Sequence, residues 1–314
     1  MQGRTGNALF EIASGVAIAA HYKLDVCLYN LDHYIESEVL PLLERVPETC
    51  SAFVLIRMKF GDKVDISNHC CVFEDFSVSG NEKRMSLMEL FGNGLGNGKI
   101  YNLVSYLQSW KYLQLAPKMA EIHLKQQVIS SARKYLETIV PQNKRVAIHL
   151  RLTDASGPQH MYNFPGPEYF QKAMQYFLDK WDRHGSVKFL VFSDNPTWCR
   201  KQSLFDGEHI SIIDETSVRK NDFTLMSACD GVIQSVGTFG WWAGHFSSQV
   251  GGEVVYFKNN FNLKQVKAMG EVVVEEEYFP PNWIGIKAPA LDRRGKWVQD
   301  MEGDVLPKHL NEKH

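Results

Sequence analysis

Short apolar runs alternate with helical patterns between residues 145 and 257, and this alternation leaves few folds open. The runs are 145–150, 187–192, 210–213, 232–236 and 254–257. Helical segments separate them: 167–182, a short one after Pro196, 222–229 and 241–246. Pro167 sits at the start of its segment, where a fixed φ suits the first helical position. Short strands running in one direction need helical crossovers, so the order predicts an α/β fold with a doubly wound parallel sheet. Upstream, Leu9, Phe10, Ala13, Val16, Ala17 and Ala20 recur at three- and four-residue steps and predict a helix over 7–22. A strand-like run at 25–29 follows. Residues 30–100 show no clear period, 117–139 read as an amphipathic helix, and Pro141-Gln142-Asn143 ends it. The glycine-rich stretch 92–98 has no apolar helix after it, so it reads as a flexible connection and not as a phosphate loop. The expected domains are an N-terminal α/β lobe over 1–140, a Rossmann-like lobe over 141–290 and a polar tail over 291–314.

Composition excludes several classes of function. A net charge of −2 gives no electrostatic basis for bulk nucleic-acid binding. No run approaches the roughly 20 apolar residues that span a bilayer. Met1 leads directly into Gln-Gly-Arg-Thr-Gly-Asn without a signal peptide, so the chain as given is expected to be soluble. The six cysteines form no Cys-x-x-Cys pair, which argues against structural zinc. Cys199 and Cys229 fall in helical segments and read as core residues. No His-x-x-x-His, His-Glu-x-x-His or paired-carboxylate metal spacing accompanies the strand-end motifs, so a metal-free site is expected. A Gly-x-Ser-x-Gly elbow and a Gly-x-x-x-x-Gly-Lys-Ser/Thr loop are absent too.

Ligands of open α/β sheets bind at the carboxyl ends of strands, and those ends carry a consistent chemistry here. The first run closes with His149-Leu150-Arg151, and strand alternation puts His149 and Arg151 on one side. The second ends in Ser193-Asp194 and the third in Asp214-Glu215. The fourth passes through Ser235-Val236-Gly237-Thr238 into Phe239-Gly240-Trp241-Trp242. Strand, small hydroxyl-bearing turn and helix N-terminus together form a phosphate-holding arrangement. A forked Arg, hydroxyls and a helix N-terminus fit a diphosphate, while nearby His and Asp fit a base or ribose. Each feature has a plainer alternative. Arg151 can be a salt-bridged surface residue, Ser193-Asp194 an N-cap for the next helix, and the two tryptophans core packing.

Taken in order, the motifs resemble those of the α-1,2-fucosyltransferase family that includes the blood-group H and secretor enzymes, nearest its nematode-like branch. Gly3-Arg4-Thr5-Gly6-Asn7 is similar to the family's Gly-Arg-x-Gly-Asn start, and Gln108-Ser109-Trp110-Lys111-Tyr112 to its Gln-Ser-x-x-Tyr/Phe segment. His149-Leu150-Arg151-Leu152-Thr153-Asp154 is similar to His-x-Arg-Arg-x-Asp, and Phe192 to Cys199 to Phe-Ser-Asp-Asp-x-x-Trp-Cys. Asn221-Asp222-Phe223, Gly237 to Ala243 and Tyr278 to Trp283 complete the series, which spans about residues 3–286.

The resemblance implies a two-lobed GT-B-like fold, with the N-terminal lobe on the acceptor side and GDP-fucose bound by the C-terminal lobe. It implies inverting, metal-independent transfer of fucose to the 2-OH of a terminal galactose. Arg151 would contact the β-phosphate and stabilise the transition state. His149 and Asp222 would address guanine, with Ser193 and Asp194 in the same donor site. Ser235, Gly237, Thr238, Phe239 and Gly240 would form the diphosphate cradle. Asp154 either takes the acceptor proton or orients Arg151, and His160 is a weaker candidate for the base.

The family resides in the Golgi membrane, with an anchor, a stem and an apolar strand ahead of the Gly-Arg-x-Gly-Asn loop. Met1 stands at that loop here, so anchor and first strand are expected to be missing. The second departure is Leu152 in place of the motif's second Arg. Two alternatives stand beside this reading: a fucosyltransferase with another linkage or a peptide acceptor, and a catalytically weak glycan- or GDP-sugar-binding relic.

Overall fold

The computed structural model describes residues 5–22, 26–29, 35–44, 54–57, 72–77, 99–104, 107–141, 144–151, 161–181, 186–213, 219–268 and 273–290. Asp154, His160, Leu152, Asp214-Glu215, the 92–98 stretch and the 291–314 tail lie outside them. The chain divides into two compact units, Met1–Lys125 with Gly270–Pro280 and Gln126–Met269 with Pro281–His314. Helix 126–139, assigned to the first lobe on sequence, groups with the second unit. The short segment 270–280 groups with the first.

The first unit opens with α1 (Thr5–Tyr22), followed by β1 (Val26–Tyr29), β2 (Val54–Arg57), β3 (Val72–Ser77) and β4 (Lys99–Val104). These strands form a parallel sheet in the order β1-β2-β4-β3. β2 and β3 fall in the stretch that shows no period on sequence, and β4 starts at its end. A four-residue strand such as 54–57 is too short for alternation to register, and Glu74-Asp75 interrupts the apolar pattern of β3. α1 starts two residues earlier than its periodicity suggests and is buried on nearly every side, with Ile12 and Ile18 joining Leu9, Phe10, Ala13 and Ala17 in the core.

α2 (Trp110–Leu113) begins at Ser109, whose hydroxyl caps it by accepting from the Lys111 N–H at 3.3 Å. The same segment is tied to α1. Ser14 Oγ donates to the Leu107 carbonyl at 3.0 Å, and Gln108 Nε2 donates to Asn7 Oδ1 at 3.2 Å. Lys111 pairs with Glu277, and Trp110 Nε1 donates to the Glu276 carbonyl at 2.8 Å. Two segments singled out on sequence, at Asn7 and at Gln108, therefore meet in this unit.

Glu11, one turn beyond Asn7, is 6% exposed, and its Oε2 has no hydrogen-bond partner among the described residues. Burial raises its carboxyl well above the ordinary value. The folded state then holds that proton more tightly than the unfolded chain does. Stability falls as pH climbs from the ordinary carboxylate range through the raised value. Glu11→Gln, which copies the neutral acid in shape, is expected to raise the melting temperature more at pH 8 than at pH 5. An equal shift at both would contradict a buried neutral acid.

The second unit contains α3 (Gln126–Ile139), β5 (Lys144–Leu150), α4 (Pro167–Trp181), β6 (Val187–Ser193), α5 (Pro196–Cys199), β7 (Ile210–Ile212), α6 (Arg219–Ser227), β8 (Gly231–Gln234), α7 (Thr238–Gln249), β9 (Glu253–Lys258), α8 (Leu263–Ala268) and β10 (Ile284–Lys287). α3 is shorter at its start than the expected 117–139, because a 3₁₀ turn at Lys118–Ala120 stands apart from it. The sheet is parallel throughout, in the order β10-β9-β8-β5-β6-β7. β10 was missed on sequence: Ile-Gly-Ile-Lys is four residues long with a glycine inside. From β5 the chain winds outward to β6 and β7, then returns to place β8 on the other side of β5. The topological switch point therefore lies between β5 and β8.

Both faces of this sheet are covered, which accounts for strands that read as continuous apolar runs. On one face Val146, Ile148, Leu150, Phe189, Val191, Ile233, Val255 and Phe257 pack against Tyr169, Phe170, Ala173 and Phe177 of α4. Tyr169 is fully buried, and its hydroxyl donates to the Gln234 carbonyl at 2.6 Å and, more weakly, to that of Val255 at 3.3 Å. Tyr169→Phe is expected to cost about 1–3 kcal/mol by leaving the Gln234 carbonyl short of a donor, seen as a lower chemical-denaturation midpoint with an unchanged slope.

Candidate functional site

The switch point is built by the ends of β5 and β8. The parallel ladder runs one step past β8, as Ser235 N donates to the His149 carbonyl at 3.2 Å, and beyond it the Arg151 N–H donates to the side-chain Oγ of Ser235 at 3.2 Å. Ser235 Oγ also lies 3.3 Å from His149 Nδ1. Ser235 is 1% exposed, and His149 is buried. Its hydroxyl is thus engaged inside the protein, fastening the two strand ends together.

α7 begins immediately beyond, and its first turn is shaped around the β5 side chains. Gly237 has φ +87°, and a Cβ there would lie 2.4 Å from Arg151 Nη1. A Cβ on Gly240 would lie 2.4 Å from His149 Nδ1. The two glycines, three apart on the turn and helix, leave the room taken by two side chains that are two apart on the strand. His149 and Arg151 therefore share a face, as strand alternation predicts. Gly240→Ala should gain about 1 kcal/mol of helix propensity, yet it is expected to lower the melting temperature because the buried imidazole has to move. A stabilised Gly240→Ala would contradict this packing.

Phe239 packs near His149, with ring centroids 5.8 Å apart, and on Phe223 at 5.2 Å. Phe223 follows Asp222, which is half-buried in the first turn of α6. The path Asp222, Phe223, Phe239, His149 brings α6 to the same edge. Thr238 is buried at the start of α7. The positive end of that helix's dipole and the Arg151 guanidinium give the edge a cationic character suited to an anion. Trp241 and Trp242 are fully buried and pack at a tilt against Trp283 and Phe246, so both brace the helix.

Ser193 and Asp194 stand at the end of the neighbouring strand, where Ser193 pairs in register with Leu150. Ser193 Oγ accepts from Asn195 N at 3.1 Å, and Asn195 Oδ1 caps α5 by accepting from Trp198 N at 3.0 Å. The capping role weighed on sequence belongs to Asn195. Cys199 and Cys229 are free and buried; desolvation pushes the Cys199 thiol up to about 12 and raises that of Cys229 as well. Neither is a reactive thiol.

Sequence reasoning missed Asn163, and it named Phe223 within a motif without giving it a role. Asn163 lies in the described segment 161–166 that precedes α4. Its side chain donates to the Asn259 and Phe261 carbonyls at 2.8 and 2.9 Å, and its N–H donates to Asn260 at 2.8 Å. This fastening ties the segment to the chain just beyond the carboxyl end of β9. Asn259, at φ +70°, turns the chain into it. An isolated Asn in a loop carries no sequence signal for such a role.

Two α/β units with all-parallel sheets, the second with a glycine-shaped turn against Arg151 and His149 at its switch point, define a GT-B-like chain. The sequence pattern of Glycosyl transferase family 11 matches residues 94–287, and the chain belongs to that family. It is 32% identical over 165 residues to a galactoside alpha-(1,2)-fucosyltransferase 1 of Oryctolagus cuniculus, covering 48% of this chain and 41% of that protein. The identity to the Bos taurus protein of the same name is 32% over 148 residues, covering 46% and 39%. The chain thus matches about two fifths of the length of these curated relatives. Among solved structures it is similar to the fucosyltransferase NodZ from Bradyrhizobium, at 15% identity and a TM-score of 0.49 over 83% of this chain and 94% of that one. POFUT1 in complex with GDP gives 12% identity and a TM-score of 0.48 over 83% and 96%. These backbone likenesses are loose, and family membership rests on the sequence match. No helix among the described residues is long and apolar enough to cross a membrane.

Proposed function

We propose that this chain transfers L-fucose from GDP-fucose to the 2-OH of a terminal galactose, with inversion and without a divalent metal. The observation that carries the reading is the fit of Gly237 and Gly240 around Arg151 and His149 at the switch point. Membership of a family whose named relatives are galactoside α-1,2-fucosyltransferases supports the choice of donor and acceptor. In this reading Arg151 and the first turn of α7 hold the diphosphate, while His149 and Asp222 address the guanine. The galactose 2-OH attacks fucose C1 from the face opposite GDP, the C1–O bond to the diphosphate breaks, and the leaving oxygens gather charge. A guanidinium and helix N–H groups aimed at those oxygens stabilise the transition state more than the ground state. Asp154 takes the acceptor proton or orients Arg151.

The test is incubation with GDP-fucose and a lactose-type acceptor, followed by linkage analysis of the product, with and without EDTA. A 2-linked fucoside formed equally in both is expected. Transfer that fails in EDTA and returns with added Mn²⁺ would overturn the metal-independent part. GDP binding without any transfer would overturn the catalytic reading and favour a sugar-nucleotide-binding relic.

A further inference from the structure

The hydroxyl of Ser235 determines which nitrogen of His149 carries a hydrogen. Ser235 is 1% exposed, so solvent does not serve its hydroxyl. A serine hydroxyl has one hydrogen to give and two lone pairs. The Arg151 N–H donates to Oγ at 3.2 Å, and a backbone nitrogen cannot accept in return. Among the described residues, the other hydrogen-bonding neighbour of Oγ is His149 Nδ1 at 3.3 Å. If Nδ1 carried a hydrogen, the serine would accept twice and its own buried hydrogen would have no acceptor, a costly arrangement. With Nδ1 as acceptor every group in the node is satisfied. A neutral imidazole that accepts at Nδ1 carries its hydrogen on Nε2. The α7 backbone at Gly240 lies against the same Nδ1 edge, where an added Cβ would sit 2.9 Å from Cγ, and this holds the ring's orientation.

We propose that Ser235 is a positioning residue that locks His149 as its Nε2–H tautomer, making His149 a hydrogen-bond donor to an acceptor atom of the bound nucleotide. The identity of that ligand rests on the GDP-sugar reading above; the tautomer does not. The same hydroxyl holds the Arg151 backbone, so one serine sets the geometry of both β5 side chains. A donor fixed at Nε2 favours ligands presenting an oxygen or a lone-pair nitrogen there. It disfavours ligands that present a donor, because two hydrogens would then face one another.

The experiment is NMR of the whole chain labelled with ¹⁵N-histidine, read through two-bond couplings that separate Nε2–H from Nδ1–H. His149→Gln assigns the His149 signals among the eleven histidines. The expected result is the Nε2–H form in the parent. In Ser235→Ala the signals should move toward a tautomer mixture, and GDP affinity measured by calorimetry should fall about tenfold. Ser235→Thr, which keeps the hydroxyl, should retain the parent pattern. An Nδ1–H signature in the parent, or an unchanged signature in a folded Ser235→Ala, would overturn the proposal. If the tautomer follows expectation but GDP does not bind the parent, the positioning role stands and the nucleotide reading falls.

Discussion

Arg151→Ala is expected to lower fucosyl transfer by about 10²–10³-fold, the usual loss when one preorganised charge-stabilising donor is removed. The fall should appear in kcat as well as kcat/KM, because the guanidinium is proposed to meet charge that grows as the diphosphate leaves. Stability should change little. The fold is held at this point by the Arg151 main chain, whose N–H binds Ser235, and Ala keeps that bond. Lys at 151 is expected to recover only part of the activity, since a single ammonium cannot form the paired contacts of a fork. Normal turnover in a folded Arg151→Ala chain would remove the phosphate assignment.

Gly237→Ala is expected to be the most damaging single-methyl change in the second unit. Its φ of +87° with ψ of 167° falls in a region that is essentially reserved for glycine, and about 1–3 kcal/mol of strain follows for any other residue. The new methyl would also meet Arg151 Nη1 at 2.4 Å and Cζ at 3.6 Å. The guanidinium end can swing away, so the steric cost falls on function: Arg151 leaves the position that its role requires. Both a lower melting temperature and a loss of transfer are expected. The two effects separate in the Arg151→Ala background, where the stability loss should persist. The additional loss of activity should largely vanish there, because the two residues act as a unit. Full additivity in activity would show that Gly237 acts independently of Arg151.

The second unit was largely legible in the sequence because its physics is periodic. Buried parallel strands give unbroken apolar runs, Pro167 marks a helix start, and polar residues mark the carboxyl ends. His149 and Arg151 could be placed on one face from alternation alone. The reason for both glycines was not legible, since it depends on the first turn of α7 lying close against the end of β5. The role of Ser235 was read as a ligand contact; its burial beneath Arg151 and His149 emerges only in three dimensions. In the first unit, β2, β3 and β4 escaped detection because four- to six-residue strands carrying Arg57, Glu74, Asp75 and Asn102 leave no period. The meeting of Gln108 with Asn7 joins positions 101 apart, beyond the reach of any local pattern.

The central claim is that Arg151 holds the terminal phosphate of a guanosine diphosphate at the β5/β8 switch point. Calorimetric titration of GDP and GMP into the parent chain and into Arg151→Ala tests it most directly. The parent is expected to bind GDP at least about tenfold more tightly than GMP, as one charge-assisted phosphate contact supplies, and the two ligands should bind Arg151→Ala alike. A GDP preference that survives the loss of Arg151 would contradict the account.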